Sequence, residues 1–397
     1  MVSSRRNEVI RKPDAVPIAC LHRLHRSLNG IPVRAIDIHL NSELHTAPLL
    51  SLKLSYRTTD DNEPLSVDQC IPADGIRRRG QRLSVHWHNA NWHGGSTPRG
   101  GNTHSGRIDI PQAAINGVTL NYEVVGEEGP WIVLTPGGRG DLEGVRYLGN
   151  RLAKEGYRIL LHDRRNCGAS DVLIEGKISE QEIWADDVYA LLEQLEATPI
   201  IAGGGSAGCR LSLLLALRHP DAVRGLLLWW VTGGDVASTQ LAHAYYGQFI
   251  EAAENGGMDA VCKTDYFEAR IESNPRNRAY LMDLDTNEFI NTMASWQDFF
   301  IQGAQLPVIG ASEKDLESID LPACIVPGND AVHPQSRGEH LNRLLSQSEI
   351  RYIRTDQELA ELADRNPIDV MRETGQRLGN IFVKFLAENP ELNDYSR

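Results

Sequence analysis

From about residue 108 onward, short apolar runs alternate with longer amphipathic stretches. Val118-Thr-Leu-Asn-Tyr-Glu-Val124 has a period of two and follows Asn116-Gly117, so it predicts a strand entered through a tight turn. Trp131 to Thr135 and Tyr157 to His162 are continuous apolar runs of strand length, with a helix expected over Leu142 to Gly156 between them. Ser179-Glu-Gln-Glu182 has the spacing of a capping box. It should open a helix carrying Ile183, Trp184, Val188, Leu191, Leu192 and Leu195 on one face. Pro199 to Gly203 predicts the next strand, Leu211 to Leu217 a helix, and Val223 to Val231 another buried strand. Buried strands separated by amphipathic helices specify an α/β fold, with a mostly parallel sheet covered by helices on both faces.

The alternation stops at about Ala237. From there to Gly310 the pattern is helical without strands, with helices expected over Leu241 to Ala253, Ala260 to Ile271 and Phe289 to Phe300. Strands and helices then resume: Ala323 to Pro327, a helix from Pro334 to Leu345, a strand from Glu349 to Ile353, and a last helix from Pro367 to Leu386. The expected organisation is a core of residues 108–235 and 311–390, interrupted by a helical cap over residues 236–310. Trp296, Phe299 and Phe300 either line a pocket from that cap or pack it internally.

Residues 1–107 read differently. They hold 8 of the 13 histidines, the run Arg77-Arg78-Arg79 and the loop-like stretch from Gly94 to Asn102. Periodicity is weak apart from Val33 to Leu40 and Leu49 to Tyr56. No metal-ligand spacing is clean in the histidine-rich stretch from His86 to His93, so a poorly ordered extension is favoured over a metal or polyanion arm.

Charge sharpens the division. Residues 1–107 carry 15 Lys+Arg and 9 Asp+Glu, net +6, and the remainder 25 and 44, net −19, within a total of −13. An acidic body argues against nucleic acid as the main partner. Apolar runs fall short of a membrane span and the N-terminus has no signal-type apolar stretch, so a cytoplasmic protein with no membrane partner is expected. The six cysteines are scattered without a C-x-x-C pair, which suggests neither a zinc site nor a disulfide framework.

The chemistry concentrates in Gly204-Gly205-Ser206-Ala207-Gly208. This G-x-S-x-G stands between an apolar strand and an apolar helix, where a strained turn would lift the Ser206 oxygen above the sheet. A helical insertion over that rim would be a lid.

Leu134-Thr-Pro-Gly-Gly138, His162-Asp-Arg-Arg-Asn-Cys-Gly-Ala-Ser-Asp171, the Ser206 turn and Val326-Pro-Gly-Asn-Asp330 occur in an order and spacing that resemble a cap-bearing α/β-hydrolase from roughly residue 108 to 390. The resemblance implies an eight-stranded, mostly parallel sheet, a serine nucleophile after the fifth strand and a cap after the sixth. It places Ser206 as nucleophile and the Ala207 N–H as one oxyanion donor, with Gly138 or Arg139 N–H as the second. This family usually has His-Gly in that loop where the present chain has Pro136-Gly137-Gly138-Arg139. Main-chain donors should tolerate the change.

Asp330 takes the position of the acid. The base departs from the family pattern, because no histidine follows His340. His333 is the favoured base, oriented by Asp330 or by Asp235. His340, within the next helix, is a lesser candidate, and His162 reads as structural. If no histidine meets Ser206, the chain is a non-catalytic or cofactor-free lyase relative without a working triad.

The expected function is hydrolysis of a small carboxylic ester through an acyl-enzyme, needing no metal or organic cofactor. Amide or carbon–carbon bond hydrolysis by the same serine is the alternative. Trp229 and Trp230 suggest a small-molecule substrate with an apolar or aromatic group. Arg139 either attracts a substrate carboxylate or pairs with Asp141 or Glu143.

Overall fold

A computed structural model describes residues 111–393 and the backbone of three strands upstream. Those strands are β1 (Val33–Leu40), β2 (Leu49–Thr58) and β3 (Leu65–Pro72), and they form an antiparallel sheet in the order β1-β2-β3. The first two coincide with the two periodic stretches of the extension. The histidine-rich segment and the glycine-rich loop lie outside the described residues. The chain divides into two compact units, Met1–Ser105 and Gly106–Arg397.

The second unit is built on an eight-stranded sheet. In chain order its strands are β4 (Gln112–Ile115), β5 (Val118–Val125), β6 (Trp131–Thr135), β7 (Arg158–His162), β8 (Ile200–Gly205), β9 (Val223–Trp229), β10 (Ala323–Val326) and β11 (Ser348–Ile350). Across the sheet they run β11-β10-β9-β8-β6-β7-β5-β4. The pairs β4–β5 and β5–β7 are antiparallel and the rest parallel. The mostly parallel sheet thus follows from the run of buried strands, and β8 is fifth of the eight.

Period-two alternation divides each strand between two cores. Val133, Leu160, Ala202, Leu226, Leu228 and Ile325 face one apolar cluster. Their neighbours Ile132, Leu134, Ile159, Leu161, Ile201 and Leu227 face the other. The helices covering the sheet are α1 (Glu143–Ala153), α2 (Glu180–Gln194) and α3 (Ala207–Arg218) before the insertion. The capping box at Ser179 is present, with Ser179 Oγ accepting from Glu182 N and Glu182 reaching back. Each fully buried leucine or isoleucine contributes about 1.5–3 kcal/mol to the preference for this arrangement.

Between β9 and β10 the chain is helical: α4 (Asp235–Ala242), a π-helical turn over His243–Gly247, α5 (Gln248–Cys262), α6 (Asp265–Ser273), α7 (Arg276–Asp283), α8 (Thr286–Gln302) and the short α9 (Glu313–Glu317). The single helix expected over Ala260 to Ile271 is broken. Thr264 takes an extended conformation, and its side chain accepts from Phe267 N to start a new helix. Aromatic residues of this segment, including Tyr246, Phe249, Phe267, Phe289 and Phe300, make a third apolar cluster that also contains Val172, Ile174 and Ile183. The chain ends with α10 (Gln335–Leu344), α11 (Asp356–Ala360) and α12 (Pro367–Glu388). No helix among the described residues is long and apolar enough to cross a membrane.

Candidate active site

Ser206 sits between β8 and α3 with φ 55° and ψ −111°, outside the regions a non-glycine residue prefers. The surrounding glycines make this turn possible. A Cβ on Gly204 would lie 2.2 Å from the Gly208 carbonyl, and one on Gly208 would lie 2.1 Å from Thr135 O on β6. Gly205 is pinned by the Trp229 indole, 2.1 Å from where its Cβ would be. Strand, turn and helix are thereby packed closer than any side chain allows. Gly208→Ala is expected to cost about 3 kcal/mol or more in urea unfolding, because it meets backbone. Gly203→Ala meets only the movable Leu134 Cδ2 and should cost clearly less.

The Ser206 hydroxyl has two side-chain partners. His333 Nε2 is 2.9 Å from Oγ, and Thr232 Oγ1 is 3.2 Å away. On the other side of the ring, His333 Nδ1 is 2.9 and 3.0 Å from the two Asp330 oxygens. Asp330 Oδ1 also accepts the N–H groups of Val332 and His333, each at 2.8 Å. Partial burial acts to raise the Asp330 pKa, but His333 and these hydrogen bonds outweigh it and hold the carboxyl below the usual carboxylate range.

The bend from β10 into α10 therefore carries both groups, three residues apart. Gly328 makes room for it, since a Cβ there would be 2.5 Å from His333 Cβ. Trp230, at φ 55°, directly follows β9 and puts its ring 6.3 Å from the imidazole.

Asp235 is not part of this group. It opens α4, and its Oδ1 accepts from Gln305 Nε2 at 2.9 Å, so the alternative acid position is taken up by a helix-end contact. His340 lies toward α9, with Nε2 3.2 Å from Glu313 Oε1. His162 is fully buried with Nε2 3.0 Å from Thr135 Oγ1, and burial first, then Arg164, pulls its pKa to about 3. It stays neutral and structural. Cys209 is likewise inert, its thiol pushed up to about 12 by burial.

The loop after β6 lies against the serine turn: a Cβ on Gly137 would be 3.4 Å from Ser206 Cβ and 3.2 Å from Gly205 O. Its peptide planes are held from behind. Gly137 O accepts Gly140 N–H at 3.0 Å, and Arg164 Nη2 donates to Gly138 O at 2.9 Å and Gly140 O at 3.3 Å. The C=O and N–H of a trans peptide point oppositely, so these bonds fix the directions of the Gly138 and Arg139 N–H groups. Ala207 N–H, at the first position of α3, has no carbonyl partner within its helix.

The Arg139 side chain does neither of the things expected of it. Glu180 takes it as a bidentate pair at 3.1 and 2.5 Å, away from Asp141 and Glu143. Burial would lower its pKa, but Glu180 outweighs this and keeps it charged. Glu180 is the first residue of α2, and nothing in the linear spacing pairs it with position 139.

Thr232 and Arg164 were not legible as neighbours of the serine and of the loop after β6. Each arrives from a different part of the chain, and although Arg164 lies in the His162–Asp171 motif, nothing in that motif shows which carbonyls it meets. Of the aromatic residues singled out, Trp229 packs beneath the turn against Phe382, and Trp296 donates its indole N–H to Ile178 O at 3.1 Å. Phe300 is buried against Tyr245 and Tyr246.

Residues 130–229 match the family model of the alpha/beta hydrolase fold. An uncharacterized hydrolase, YraK of Bacillus subtilis (strain 168), is 26% identical over 205 residues, which is 50% of this chain and 68% of that one. A proline iminopeptidase of Lactobacillus helveticus is 31% identical over 117 residues, 28% of this chain and 40% of its own length. Among solved structures, an enol-lactonase from Burkholderia xenovorans LB400 aligns at 22% identity and a TM-score of 0.46, covering 70% of this chain and all of that one.

Proposed function

We propose that this chain, whose residues 130–229 match the family model of the alpha/beta hydrolase fold, is a serine hydrolase that cleaves a small carboxylic ester through an acyl-enzyme. The observation that carries this reading is the continuous line Ser206 Oγ–His333 Nε2 at 2.9 Å and His333 Nδ1–Asp330 at 2.9 Å. Serine is a weak nucleophile until an adjacent base takes its proton. Here Ser206 Oγ attacks the carbonyl carbon as its proton passes to His333 Nε2. Asp330 accepts from Nδ1–H, which selects the tautomer with a free Nε2 lone pair and stabilises the imidazolium. The oxyanion forms against Ala207 N–H and the N–H of Gly138 or Arg139, donors already oriented before the charge develops. His333 then protonates the departing alcohol. Water, deprotonated by the same nitrogen, releases the acid and restores the serine. The helical segment between β9 and β10 serves as the cap that closes over this rim.

One relative is named as a peptidase, so the bond class is the point to test. Purified protein is offered p-nitrophenyl butyrate, the corresponding p-nitroanilide and a vinylogous diketone at equal concentration. Turnover of the ester with little or none of the other two is expected. An anilide or diketone cleaved faster than the ester would replace the esterase reading with amide or carbon–carbon hydrolysis at the same serine.

A further inference from the structure

One buried charge is unused by this mechanism. Arg210 lies on α3 four residues after Ser206, and its backbone N–H donates to Ser206 O at 3.2 Å. Its relative exposure is 0%, and Nε, Nη1 and Nη2 have no hydrogen-bond partner among the described residues. The other buried arginines nearby are all partnered. Arg139 has Glu180, Arg165 has Asp187 at 2.5 and 2.7 Å, and Arg164 has two carbonyls and the Trp184 face.

What surrounds Arg210 comes from the helical insertion. The Phe300 ring centre is 5.1 Å from its Cζ. Burial pulls the Arg210 pKa down, opposed by the nearby Tyr245 and Tyr246 hydroxyls. The Tyr246 hydroxyl is committed to Glu180 Oε2 at 2.9 Å, whereas the buried Tyr245 hydroxyl has the Arg210 guanidinium beside it and no other partner among the described residues. Tyr245 Oη also stands beside the oxyanion loop, 3.8 Å from where a Gly138 Cβ would be. Gly138, Tyr245 and Arg210 therefore adjoin one another beside the serine turn. An unpaired buried guanidinium is costly, and a planar two-oxygen anion is the partner its fork of donors matches best.

We propose that Arg210 and Tyr245 form a carboxylate-recognition subsite, and that the substrate is a small ester carrying a carboxylate a few bonds from the scissile carbonyl. This rests on the ester-hydrolase reading and narrows it to acid-bearing substrates. The acidic surface of the body, net −19 over residues 108–397, repels anions at long range. A preference for an anionic substrate would therefore have to arise locally.

Two substrate pairs test this and identify which side of the ester bears the acid. p-Nitrophenyl hemisuccinate is compared with p-nitrophenyl butyrate, and 4-carboxyphenyl butyrate with phenyl butyrate. In one pair the wild-type kcat/KM should favour the acid by about tenfold or more. Arg210→Met should reduce that ratio by about tenfold or more, and Arg210→Lys and Tyr245→Phe by less. Equal rates in both wild-type pairs, or a ratio unchanged in Arg210→Met, would overturn the subsite. Should Arg210→Met fail to fold, the wild-type ratios and Tyr245→Phe decide. If no ester is cleaved and Ser206 does not react with a fluorophosphonate, the hydrolase reading fails separately. Calorimetry with succinate then settles the subsite, through binding to wild type that Tyr245→Phe weakens, or through no binding at all.

Discussion

Ser206→Ala is expected to remove all covalent labelling by a fluorophosphonate probe and to lower kcat on an aryl ester by a factor on the order of 10⁶. The size follows from the loss of the only atom positioned to attack. Oγ is held between His333 Nε2 and Thr232 Oγ1, at 2.9 and 3.2 Å. The Cys209 thiol on the next turn does not replace it, since burial pushes its pKa up to about 12. The fold should survive, because the glycines at 204, 205 and 208 set the turn and alanine adds no atom to it. Labelled protein is counted by intact-mass spectrometry, and unfolding is followed in urea. Persistent stoichiometric labelling of a folded Ser206→Ala protein would move the chemistry to another residue.

The second large effect belongs to His333. Its replacement by alanine should slow fluorophosphonate labelling by about 10³-fold or more, with binding of a product acid little changed. Asp330→Asn should lower kcat by roughly 10⁴-fold by favouring the wrong tautomer. Asp235→Asn should stay near wild type, because Asp235 meets Gln305 and not the imidazole. This contrast separates the two carboxylates that the sequence left open. The Asp330 shift also has a sign that pH can read. Its folded pKa is depressed, so its favourable contribution is present above the unfolded value of about 3.9 and is lost only as pH falls through the lower folded value. Activity lost on acidification well above pH 4 is therefore not due to protonation of Asp330. Rapid labelling of His333→Ala at neutral pH would remove the histidine from the mechanism.

What the amino-acid sequence determined alone is local in origin. Continuous apolar runs gave most of the strands, because a sheet buried on both faces needs apolar side chains at every position. Ser179 and Glu182 announced the start of a helix, since the capping box is closed within four residues. The glycines around Ser206 marked the turn, because only a residue without a Cβ lets β8, α3 and β6 approach this closely. His333 was legible as a candidate because it stands three residues from Asp330 on one bend.

Tertiary structure decided everything that depends on elements meeting from far along the chain. It set Asp330 and not Asp235 against His333, gave Arg139 to Glu180, and brought Thr232 to the serine and Arg164 to the loop after β6. It also put Arg210 against the Phe300 ring with no carboxylate partner among the described residues. Pairings of this kind leave no periodic trace, because a hydrogen bond or an ion pair constrains two positions in space and says nothing about their separation along the chain.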